Sequence, residues 1–359
     1  MKYMNNFIRF FWIVFSFFPL AFVGCQQEIE VDLPDYEPKM VVEGTIENGK
    51  PAMVILSKSI SYFANIDLSY LLNNVFIRDA EVYVTSSDGE TERLTFQYCD
   101  ESPVYFAYRG NNIRGKENTS YTLTINYDGQ TYRATTTIPQ TFDLEKLWFS
   151  TISEYINADT MRTIRIQMTD NPAEENYYAF QLKVSCPSFK DRLWVCTVPI
   201  AFDDKTINGI TFNYELERYG YSTLFSYMLS EEERQAQRRI TFRPGDTVYV
   251  KHSQMDYNSY RFMVTGGSEA IMGTNPFTNP APVISNIEGD NALGAWCGFA
   301  SKIDTLIWPD TIGYRTALTF PVNYHKSRAS LFSPVKSIFL YFCGLIIIII
   351  IWINIGLQV

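Results

Sequence analysis

The sequence predicts an all-β protein: two β-sandwich domains, immunoglobulin-like or transthyretin-like, with one or two short helices. Three observations predict it. Turn signals at Asn48-Gly49, Asp88-Gly89 and Asp128-Gly129 each lie between runs of alternating apolar and polar residues, the mark of a tight hairpin. Aromatic residues abound, with 24 Tyr and 26 Phe, and such rings suit pleated, half-buried surfaces. With 46% hydrophobic and 19% charged residues in 359, the chain carries enough apolar material for two cores of ordinary size.

Residues 1–24 read as an export leader. Lys2 and Arg9 give a positive start, Phe10 to Phe22 is uncharged and almost wholly apolar, and Gly24 precedes Cys25. That apolar run is short for a membrane span. The segment "FVGC" resembles the cleavage site of bacterial lipoprotein signal peptides, with Phe22 where such sites prefer Leu. The resemblance makes Cys25 the first mature residue and the point of lipid attachment, where two or three acyl chains anchor firmly and one would not. An ordinary signal peptide with an incidental cysteine is the alternative. Residues 25–38, with Glu28, Glu30, Asp32, Asp35 and Glu37, read as a solvated acidic tether.

A first β-sandwich is expected over 39–140. In "SYTLTINYDG" the apolar Tyr121, Leu123, Ile125 and Tyr127 alternate with Thr122, Thr124 and Asn126, giving one buried and one wet face. A second β-rich domain is expected over 141–309. Its strands are signalled by Ile164, Ile166 and Met168, by Tyr178 to Val184, and by "GITFNYEL", "RRITF" and "DTVYVKH". "LSEEERQAQRR" predicts a helix, with Ser230 and Glu233 forming a capping box. "MDYNSYRFMV" reads as helix in preference to strand. Residues 310–359 form an atypical tail whose stretch Ser337 to Leu357 is uncharged and long enough to span a membrane. The cations Lys326, Arg328 and Lys336 precede it and none follows, the reverse of a stop-transfer segment; a second anchor, a tail occluded by a partner and a non-native C-terminus from a reading-frame change are the three readings.

Chemistry is scarce. The net charge of −9 and the lack of a basic run exclude nucleic-acid binding through phosphate neutralisation. Of the two histidines, His252 lies at a strand end without a nucleophile elbow and His325 lies in the tail. The 39 acids single out no catalytic pair. "AFDDKTING" places Asp203, Asp204 and Asn208 together but lacks calcium-loop spacing. No metal site, cofactor or enzyme activity is expected. Cys186 and Cys196 flank "PSFKDRLWV" and can meet across a hairpin as a disulfide; two free thiols are the alternative.

"VDLPDYEPKMVVEGTIENGKPAMVILSKS", "TDNPAEENYY" and "NPFTNPAPVISNIEGDNALGAWCGF" resemble segments of Bacteroidetes outer-membrane lipoproteins grouped as domain of unknown function 4249. The resemblance implies a lipid-anchored protein of the outer membrane, exposed at the cell surface, that serves as accessory or binding protein to a TonB-dependent β-barrel uptake receptor. It implies no catalytic residues, and the ligand is unknown. A surface adhesin or assembly subunit is the alternative function, and a hydrolase a third. The loops around Asn275 to Asn286 are a candidate contact surface; loops that merely close the second sandwich are the alternative.

Overall fold

The computed structural model describes residues 37–59, 70–151, 162–186, 189–190, 193–218, 242, 244–272 and 282–308. The leader, Cys25, most of the tether, the helix expected near Ser230, the loop 275–281, His325 and the hydrophobic stretch 337–357 lie outside these residues.

The described chain is all-β. All three expected hairpins form. They join β1 (Met40–Glu47) to β2 (Pro51–Lys58), β3 (Glu81–Ser86) to β4 (Thr91–Tyr98), and β6 (Thr119–Tyr127) to β7 (Gln130–Ile138). Their turns need positive φ, which Gly49, Gly89 and Gly129 supply at +74°, +89° and +74°. β5 (Phe106–Arg114) completes this half. Sheet order runs β7-β6-β3-β4-β5-β2-β1. The strands curl over one core, with Val42, Ile46, Val54 and Leu56 from one layer meeting Val82, Val84, Leu123 and Ile125 from the other.

Beyond Pro139 come β8 (Lys146–Thr151), β9 (Arg162–Thr169), β10 (Tyr177–Cys186), β11 (Phe189–Lys190), β12 (Val195–Val198), β13 (Phe202–Asp203), β14 (Thr211–Arg218) and β15 (Thr247–Met255). The alternating residues of β9 and β10 point where the sequence put them: Ile164, Ile166, Met168, Tyr178, Phe180 and Leu182 share a second core with Val248 and Val250. The "MDYNSYRFMV" segment is helical from Tyr257 on, as α1 (Tyr257–Met272), while its Met255 ends β15.

The two cores do not divide at a point in the sequence. β16 (Ala292–Ile307) pairs parallel with β1 through residues 292–299 and antiparallel with β15 through residues 299–307. Its Trp296 and Ala300 fill the first core while Leu306 packs on the second. One strand therefore serves both halves and joins them edge to edge. Asparagines fasten it where pairing changes. Asn48 receives the Ser301 N–H at 2.6 Å and donates to the Ser301 carbonyl at 3.2 Å. Asn286 does the same for the backbone of Trp296, at 2.9 and 2.8 Å. The end of the expected contact loop is thus spent holding strand backbone, because a buried N–H or C=O without a partner is costly.

Candidate functional site

Strand alternation decides which face carries a site. Along β1, β10, β15 and β16 the residues of one parity fill the two cores. Those of the other parity, among them Glu43, Glu47, Gln181, Lys183, Lys251, Ser253 and Phe299, face a cleft of about 370 Å³. Helix α1 covers one end of this sheet face. Phe262 packs on Ala295 and Cys297, and Met263 packs beside Ala179 and Phe299. There the buried Cys297 thiol is pushed up to about 12 by desolvation, which leaves it an inert packing group.

The cleft is built around a buried cation. Lys251 is only 8% exposed. Its Nζ lies 3.5 Å from Glu47 Oε2 and 5.0 Å from the centre of the Trp194 ring. Lys183 Nζ lies 5.1 Å from the same ring, and Lys50 Nζ lies 2.8 Å from Glu47 Oε1. One carboxylate thus answers two ammoniums while an indole face holds two. Burial pulls the Lys251 pKa below its ordinary value, against the opposing charge of Glu47. Burial alone would raise Glu47; Lys251 and Lys50 overcome it and hold the carboxyl below its usual range.

What can this arrangement do? Glu43 and Glu47 sit four residues apart on one strand, with roughly 13 Å of rise between their backbones. The geometry suits binding: charged groups fixed at the rim of a cavity walled by Met53, Ile55, Leu193 and Phe299.

The candidates read from sequence fall elsewhere. His252 is 1% exposed, on the core side of β15. Its Nε2 meets Asp304 Oδ2 at 3.1 Å, and the Phe142 ring lies 4.7 Å away. Burial lowers its pKa while Asp304 works the other way. Its Nδ1 has no hydrogen-bond partner among the described residues, so no nucleophile completes a triad there. Asp203 pairs with Lys205 at 2.9 Å, and Asp204 accepts the Asn176 N–H at 2.7 Å. Among the described residues no cluster of three or more His, Cys, Asp or Glu is placed to hold a metal.

The "TDNPAEENYY" segment is a knot of another kind, with Asp170, Asn176 and Tyr178 buried beneath the exposed turn Asn171 to Glu175. Asp170 accepts from Tyr178 Oη at 2.7 Å and from the Gly209 N–H at 2.9 Å. The Asn176 amide donates to the carbonyls of Asn171 and Glu174. Cys196 is disulfide-bonded and faces Gln181 across the ladder, while Cys186 faces Phe189; the Cys186 side chain lies outside the described ones. Cys99 and Cys297 are free and buried.

Sequence reading missed the cleft. Its residues stand at alternate strand positions, where Glu, Thr and Lys imply ordinary solvent exposure. Only the pairing of β1 with β16 brings Glu47 to Lys251, and no local pattern announces that pairing.

No curated protein matches the chain. The model of one family, described as a domain of unknown function (DUF4249), matches residues 26–302. That span takes in β1, β10, β15, the Asp170 knot and β16 as far as Lys302, so most of what positions the cleft lies within the matched region. The chain belongs to this family.

Proposed function

We propose that the protein is an outer-membrane lipoprotein, anchored by acyl chains on Cys25 and exposed at the cell surface. In this reading it captures a small ligand in the cleft and assists a TonB-dependent β-barrel receptor in its uptake. The cleft is the observation that carries the proposal. A cavity of about 370 Å³ with a buried lysine and an aromatic wall is a recognition site in form. The leader, the "FVGC" segment and the acidic tether support the anchor, and the tether gives the body reach beside a larger partner.

Co-purification in mild detergent, with the anchor intact, tests the proposal. Recovery of a β-barrel receptor is expected, together with a mature N-terminus at acylated Cys25 by mass spectrometry. Recovery of copies of this chain alone would instead favour an adhesin or assembly subunit. An unmodified Cys25 thiol would remove the membrane placement.

A further inference from the structure

Resting on the reading of the cleft as a ligand site, we propose that its ligand is a small organic monoanion, a carboxylic acid with an apolar body. Lys251 meets the carboxylate. The lining points there. Among the described residues, Lys50, Lys183 and Lys251 face the cleft with Glu43, Glu47 and Glu101, and of the three lysines Lys251 is the buried one.

Lys251 has donors to spare. An ammonium carries three N–H groups; Glu47 stands at 3.5 Å, and the Trp194 ring attracts charge without accepting a conventional hydrogen bond. A lysine more than nine-tenths buried whose donors go unused among the described residues is costly, and a carboxylate would supply a charge-assisted bond away from bulk water. The rest of the wall is Met53, Ile55, Leu193, Ala295 and Phe299, which calls for an apolar body on the ligand.

A phosphate dianion fits less well. Such groups are cradled by free backbone N–H groups at nests or helix N-termini. Here the strands under the cleft spend their backbone groups on one another through the β1–β16, β15–β16 and β10–β15 ladders.

The test titrates the purified full chain with benzoate, its neutral isostere benzamide, and inorganic phosphate, followed by calorimetry and saturation-transfer NMR. Benzoate should bind at least about tenfold more tightly than benzamide, the value of one charge-assisted hydrogen bond. Lys251→Met should abolish that preference. Because this variant can misfold, the benzoate-to-benzamide ratio on the unaltered protein stands as an independent measurement. Equal binding of both overturns the monoanion proposal and leaves the cleft as a ligand site. Phosphate binding without benzoate binding overturns it likewise. If none of the three binds, the ligand-site reading falls with it.

Discussion

Glu92 illustrates how a single carboxylate can be held inside a sheet. It is 8% exposed, yet its oxygens accept backbone N–H groups from Asn111, Asn112 and Ile113 at 2.5, 2.9 and 2.8 Å. Burial works to raise its pKa, and the three backbone donors together hold it below the ordinary value. A lowered folded pKa means stability that is full above the unfolded value of about 4.3 and is lost as pH falls through the folded one. Glu92→Gln is expected to cost about 1–3 kcal/mol at pH 7. The gap to the parent protein should begin to narrow as pH falls below about 4.3 and close below the folded pKa, as protonation removes the same advantage. Urea midpoints measured from pH 7 to pH 2.5 would show it, and parallel curves would rule it out. Glycine 44 makes a complementary point. A Cβ there would stand 2.5 Å from the Trp296 ring, so the bare backbone is what makes room for that indole in the first core.

At the scale of elements, what was legible and what was not divide along the range of the forces involved. The hairpins at Gly49, Gly89 and Gly129 were readable because turn chemistry and period-two alternation are local. The inward residues of β9 and β10 were readable for the same reason. The parallel pairing of β1 with β16 joins residues some 250 positions apart. Only tertiary packing selects it, so neither the pairing nor the cleft beside it could be read. Helix α1 was readable as a helix but not in its attachment. Asp256 caps it, accepting the Ser259 N–H at 2.8 Å, and its other oxygen takes the Thr136 hydroxyl and the Thr137 N–H of β7 at 2.7 and 2.9 Å. Thr136 in turn receives the Gly298 N–H at 2.8 Å. One carboxylate thus ties helix, first sandwich and β16. Asp256→Ala should cost about 2–3 kcal/mol, a cap plus a charge-assisted bond. Hydrogen exchange should quicken at the Ser259 and Thr137 amides together; quickening at Ser259 alone would show that the link across to β7 carries no weight.

For the whole molecule, the expectation of two sandwiches describes the two cores but not their independence. Trp296, fully buried and donating from Nε1 to the Tyr121 carbonyl at 2.8 Å, is a central side chain of the first core although it comes from the far end of the chain. A chain stopped after Asp290 should therefore lose cooperative unfolding in both halves, whereas one stopped after Pro309 should keep a single sharp transition by circular dichroism. If residues 39–140 alone melted cooperatively, the two cores would be separable after all. The placement of β16 also bears on the life of each copy. A polypeptide delivered amino end first, from a ribosome or through a translocation pore, exposes half-built sheets until its closing segment arrives. The first core cannot fill without Trp296, so a copy ended before β16 should stay open to proteases where a finished one resists them.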